Sequence, residues 1–151
     1  MRKVLYLDIP PNLYIGTQYL RSFYGDAVRD YNQLRAKTNI SFKDDDSLEI
    51  FCIASWQIEN LRCEIDWFHN SHSFVEMPKN IVENYGKFVK ILMSKNSRIS
   101  LVSYSNFDPA TTYDPAELPK LLNHRENTLK VSKKSNALRK SKFDFYATWK
   151  P

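Results

Sequence analysis

Leu48-Glu49-Ile50-Phe51-Cys52-Ile53-Ala54 and, six residues later, Leu61-Arg62-Cys63-Glu64-Ile65-Asp66-Trp67-Phe68 are the stretches on which the fold turns. The first is dense in β-branched and aromatic residues. The second alternates, with Leu61, Cys63, Ile65 and Trp67 on one face and Arg62, Glu64 and Asp66 on the other, the period of a half-covered strand. Two neighbouring strands of this kind are most simply paired antiparallel.

Upstream, Lys3 to Ile9 favours β structure and stops at Pro10-Pro11, which reads as a first strand buried on both faces. Leu20, Phe23, Tyr24, Ala27, Val28, Tyr31 and Leu34 recur at spacings of three and four. That periodicity predicts a helix from about Thr17 to Lys37, with Thr17 as N-cap and Gly25 as its weak point. The polar run Ser41 to Ser47, with Asp44, Asp45 and Asp46 together, marks a loop. Downstream of Pro78, the apolar set Ile81, Val82, Tyr85, Phe88, Val89, Leu92 and Met93 predicts a second helix ending near Asn96, and Arg98 to Tyr104 a further strand.

The order through residue 104 is therefore β-α-β-β-α-β, which predicts an α+β, ferredoxin-like core: an antiparallel sheet covered by helices. A loop at 105–115 leads into a C-terminal extension at 116–151 that adds an α-β element and ends in a strand, Phe143 to Trp149. The 151 residues, 42% of them apolar, are expected to make a single domain.

Charge is unevenly placed. From Lys120 to Pro151 there are nine Lys and Arg against Glu126 and Asp144, a net charge of +7, while residues 1–119 carry 13 basic and 15 acidic side chains. Such a localised basic segment is an electrostatic footprint for a polyanion. Lys130, Lys133, Lys134, Arg139, Lys140 and Lys142 are the candidate phosphate contacts, and Tyr146 and Tyr113 the candidate stacking rings. The function expected on this footing is nucleic-acid binding, to single-stranded nucleic acid or RNA, without catalysis. The alternative is a phage-type inhibitor or adaptor docking on a host protein, and the third reading a metal-dependent nuclease.

The nuclease reading draws on Asp8, Asp44 to Asp46, Glu64 and Asp66 as a carboxylate cluster. Cys63, Asp66, His69, His72 and Glu76 are metal-ligating residue types at short spacing, but they lack the C-x-x-C pair of common structural zinc sites, and no metal is expected. Gly16, Gly25 and Gly86 are too scattered to form a glycine-rich phosphate loop, so no nucleotide cofactor is expected either. The first apolar run, six residues long, is too short for an export signal or a membrane span. The expected location is the cytoplasm, or the host cytoplasm for a phage-encoded chain, with Cys52 and Cys63 reduced and no membrane partner. A homodimer is compatible with the edge offered by the last strand.

Overall fold

The computed structural model describes residues 2–104, 108–115, 117–122, 130–135 and 143–149. The chain divides into two compact units, Met1–Cys63 and Glu64–Pro151.

In the first unit, strand β1 (Lys3–Asp8) leads into helix α1 (Asn12–Tyr24), a 3-10 turn (Gly25–Ala27), the short strand β2 (Val28–Arg29), helix α2 (Tyr31–Leu34) and strand β3 (Glu49–Ala54). The sheet order is β1-β3-β2, and both pairings are parallel: Lys3 stands beside Glu49 and Asp8 beside Ala54, while Val28 stands beside Ile50. All six residues of β3 are buried, so both of its faces are covered, as in a parallel sheet. Leu13 of α1, Val28, Ile50, Cys52 and Ala54 make the core, with Val4, Tyr6, Leu20 and Tyr31 packed against it.

The helix expected over Thr17 to Lys37 is broken at Gly25, whose φ of 50° is left-handed and suits glycine. Thr17 is not a cap. It is buried within α1, where its Oγ1 donates to the Leu13 carbonyl. A separate cap forms at Asp30, whose carboxylate accepts the Gln33 amide at 3.1 Å while the Gln33 side chain accepts the Asp30 amide.

In the second unit, strand β4 (Ile65–Ser71) is followed by the single turn α3 (Ser73–Glu76), helix α4 (Lys79–Leu92), strand β5 (Met93–Tyr104), helix α5 (Leu118–Leu122), and strands β6 (Lys130–Ser135) and β7 (Phe143–Trp149). The order is β4-β5-β7-β6. β4 and β5 are parallel, joined by the α3–α4 crossover, while β7 lies antiparallel between β5 and β6. Val82, Gly86, Val89 and Leu92 form the buried stripe of α4. Gly86 lets α5 approach: a Cβ there would stand 3.0 Å from Leu121 Cγ.

The ferredoxin-like expectation is thus corrected: these are βαβ-type sheets with parallel strands. The difference lies in Leu48–Ala54 and Leu61–Phe68. A hairpin between them would need a tight turn. Instead Ser55–Asn60 forms a glycine-free 3-10 segment, and β4 pairs with β5 rather than with β3. The continuous burial of β3 marks a doubly covered parallel strand. Among the described residues no helix is long and apolar enough to cross a membrane.

Candidate functional site

In open parallel sheets, ligands bind outside the carboxyl ends of the strands, where loops converge and backbone groups are unpaired. In the first unit that end is marked by Asp8, the last residue of β1. Tyr6 and Asp8, two apart on a strand, share a face. The Tyr6 hydroxyl donates to Asp8 Oδ2 at 2.9 Å, and the Ile9 amide donates to Asp8 Oδ1 at 2.8 Å. One donor on each oxygen fixes the carboxylate plane and leaves each oxygen a further lone pair. The chain then turns through Ile9, Pro10 and Pro11, with a cis bond between the prolines, into α1.

Tyr6 is the positioning group here. Burial, and then its hydrogen bond to Asp8, push its phenol up to about 12, so it stays a donor throughout the physiological range. Its ring lies against Gly16 of α1, where a Cβ would stand 2.5 Å from Cε1 and 2.6 Å from Cζ. That glycine is therefore required by close approach.

The other acidic residues of the expected nuclease cluster do not join Asp8. Asp45 and Glu49 hold Lys3 Nζ at 2.9 and 3.1 Å, and Asp46 pairs with Arg2. All of these sit at the amino end of β1, five residues or roughly 17 Å of strand away from Asp8. Burial would raise the Glu49 carboxyl, but the Lys43 amide at 2.8 Å and the Lys3 ammonium outweigh it and hold it below the usual range. An open cleft of about 590 Å³ beside β2 is lined by Arg21, Asp26, Arg29 and Asp30, with Arg21 ion-paired to Asp30 at 2.9 Å.

In the second unit, β4 presents Trp67 and His69 to Ser100 of β5. Trp67 Nε1 donates to Ser100 Oγ at 3.1 Å, and Ser100 Oγ lies 2.6 Å from His69 Nδ1. With one lone pair taken by Trp67, the Ser100 hydroxyl can either donate to His69 Nδ1 or accept from it, so both ring tautomers fit this contact. At the carboxyl end of β4, His72 takes a left-handed φ of 65° while its amide donates to the Val102 carbonyl at 2.7 Å. Such a conformation at a non-glycine residue is a local cost concentrated at functional turns. Asn70 supports the turn, donating to Ser73 Oγ and accepting the Phe74 amide.

Among the sequence-derived candidates, Asp66 accepts from Ser94 Oγ, His69 is engaged by Ser100, and the Cys63 thiol is pushed up by burial. No group of three or more His, Cys, Asp or Glu able to hold a metal forms among the described residues. Cys52 is fully buried with its thiol likewise raised, so neither cysteine is an activated nucleophile. Lys130, Lys133 and Lys134 lie on β6, and Tyr146 lies on β7 in register with Val102 and Ser132. Arg139, Lys140 and Lys142 fall outside the described residues. Tyr113 is half-buried, its phenol raised by burial and by Glu83 and Glu117, an anionic setting that disfavours a phosphate backbone. Sequence reasoning singled out Asp8 but gave it the wrong companions. It missed Tyr6, whose signal was the Tyr6-x-Asp8 alternation running into two prolines.

No family model matches the chain, and no curated protein matches it. Solved structures do. The PH0226 protein from Pyrococcus horikoshii OT3 superposes with a TM-score of 0.54 at 13% identity, covering 99% of this chain and 81% of that one. LepI C52A, solved in complex with SAH and a substrate analogue, gives a TM-score of 0.50 at 9% identity, covering 99% of this chain and 43% of its own. This chain therefore spans less than half the length of LepI. At these identities the likeness is one of fold, a Rossmann-like parallel architecture, and it overturns the ferredoxin-like reading together with the nucleic-acid and nuclease readings.

Proposed function

We propose that the first unit binds the ribose of an S-adenosyl nucleoside, as part of a methyltransferase-like Rossmann module. The observation that carries this reading is Asp8: a half-buried carboxylate at the carboxyl end of a parallel strand, held by Tyr6 and the Ile9 amide with an acceptor site open on each oxygen. In Rossmann-like sites an acidic residue in the sheet's carboxyl-end crevice accepts hydrogen bonds from ribose hydroxyls. The fold likeness supports the assignment, one of the similar structures being a complex with SAH, the demethylated form of S-adenosylmethionine.

The fit is to ribose and goes no further along the ligand. The glycine-rich turn that lets a backbone approach the rest of such a nucleoside has no counterpart among Gly16, Gly25 and Gly86, and Gly16 is occupied by the Tyr6 ring. When bound, S-adenosylmethionine supplies an activated methyl group. The residues of this chain account for holding its sugar: Asp8 accepts, and Tyr6 keeps Asp8 oriented.

The test is titration calorimetry of the chain with SAH, adenosine and 2′-deoxyadenosine. Binding is expected for the first two and weakened about tenfold or more for the deoxy compound and for Asp8→Ala, the loss of hydrogen bonds to a charged acceptor. Equal binding of adenosine and 2′-deoxyadenosine, or unchanged binding by Asp8→Ala, would remove Asp8 from the site.

A further inference from the structure

Strand β3 runs beside β1 with Ala54 next to Asp8, and two residues further on stands Trp56, 56% exposed. A strand spacing of about 4.8 Å and two residues of chain put its Cα roughly 8 Å from that of Asp8. Tryptophan is highly buried on average, because its indole is a large apolar group. Here the exposure is built into the backbone. Trp56 belongs to the 3-10 segment Ser55–Asn60, and Gln57, which follows it, is buried and tied down through both ends of its amide. Its Oε1 accepts the Ala54 amide at 3.0 Å, and its Nε2 donates to the Leu34 carbonyl at 3.2 Å. Ile58 comes next and is buried as well.

With its two successors held inside, the Trp56 backbone is fixed while the indole stays out. The ring is steadied by Tyr31, a half-buried side chain packed on the core, whose own ring lies 6.1 Å away at 81°. An edge-to-face contact of this kind covers at most one face of the indole and leaves the other open.

We propose that this open face stacks on the base of the nucleoside whose ribose Asp8 holds, so that the site selects purine ribonucleosides by ring area; the assignment rests on Asp8 as the ribose acceptor. In a nucleoside the base is bonded to the carbon next to the one bearing the 2′-hydroxyl. A sugar anchored on Asp8 therefore sets its base down close by, and β3, the strand paired with β1, offers Trp56 just beyond its carboxyl end. Stacking is indifferent to the groups on the edge of a base, since every base has a π-face, but it grows with overlap, and a purine has two rings where a pyrimidine has one. Gln57, buried with both polar atoms engaged, does not read that edge. A ring already held by Tyr31 loses little freedom on binding, so more of the stacking energy appears as affinity.

The test is titration calorimetry of the whole chain with adenosine, inosine and cytidine, three ribonucleosides that share the sugar. Adenosine and inosine are expected to bind comparably and cytidine about tenfold more weakly. Trp56→Ala should lose about tenfold in affinity for both purines and little for cytidine, so that the preference collapses. Trp56→Phe, which keeps a smaller ring, should fall between the two. Asp8→Ala should weaken all three ligands alike and leave the purine preference in place, which separates the stack from the ribose site. In a Trp67→Phe/Trp149→Phe chain, where Trp56 is the one tryptophan left, adenosine should quench the fluorescence with the dissociation constant that calorimetry gives. Equal binding of cytidine and adenosine by the wild type overturns the proposal. So does a purine preference that survives Trp56→Ala, and in both cases an Asp8-dependent affinity would leave the ribose site standing. A chain that binds none of the three overturns both readings.

Discussion

Replacing Gly16 by Ala should destabilise this protein although the position lies in the middle of a helix. In an exposed helix interior the change is favourable by about 1 kcal/mol, since Gly is the poorer helix former. Here the added methyl would stand 2.5 and 2.6 Å from Cε1 and Cζ of Tyr6, well inside contact distance. Overpacking of this kind costs about 1–3 kcal/mol. The ring can escape only by leaving Asp8, which forfeits a hydrogen bond to a charged acceptor worth about 1.5–3 kcal/mol when buried and less at this half-exposed site. The net expectation is a loss of about 1–2 kcal/mol. In a Tyr6→Leu background the side chain ends short of the methyl, and the same Gly16→Ala change should turn stabilising by up to about 1 kcal/mol. The coupling between the two positions is then about 1–3 kcal/mol, large for a single pair. Urea unfolding would measure it, with Trp67→Phe and Trp149→Phe leaving Trp56, which packs edge-on to Tyr31, as reporter of the first unit. If Gly16→Ala stabilised both backgrounds alike, the Tyr6–Gly16 contact, and the positioning of Asp8 that depends on it, would be wrong.

Two pH dependences follow from the same unit. Because the folded state holds the Tyr6 phenol up to about 12 against an ordinary value near 10, it keeps a proton the unfolded chain has lost in that interval; the stabilisation is complete below pH 10 and disappears as pH rises towards 12. A difference titration at the tyrosinate absorbance, wild type minus Tyr6→Phe, should show a midpoint near 12 that moves towards 10 in Asp8→Asn; a wild-type midpoint near 10 would refute the hydrogen bond. For Glu49 and Asp30 the sign is reversed. Their folded-state carboxyls titrate below their unfolded values, so their contribution is present above about pH 4.5 and is lost as pH falls. Glu49→Gln should cost about 1–3 kcal/mol at pH 7 and progressively less towards pH 3, and an equal loss at both pH values would contradict the Lys3–Glu49–Lys43 arrangement.

What could be read from the sequence was whatever depended on neighbours along the chain. The stripe of α4 recurs in the structure, and so does the strand Phe143 to Trp149, at its expected bounds. What could not be read was pairing. Whether Leu48 to Ala54 runs parallel or antiparallel to another strand depends on partners 46 residues upstream at Lys3 and 22 upstream at Val28, and no local period encodes that choice. The α1 region misled for a related reason: Phe23 and Tyr24 belong to a surface, not to the core, so an apolar periodicity that counted them pointed to the wrong face. At the site, Asp8 was legible as a carboxylate ending a strand. Its meaning required knowing that Asp45 and Asp46 anchor the opposite end of that strand.

The interleaving of the last two strands has a consequence for how the chain is made. β6 precedes β7 in sequence but is separated from β5 by β7 in the sheet, so on leaving the ribosome β6 has no slot to enter. β5 and β6 therefore stay unpaired along this side until Phe143–Trp149 docks between them. During that interval the chain offers two bare strand edges, a substrate for holding chaperones and a liability for products truncated before Phe143.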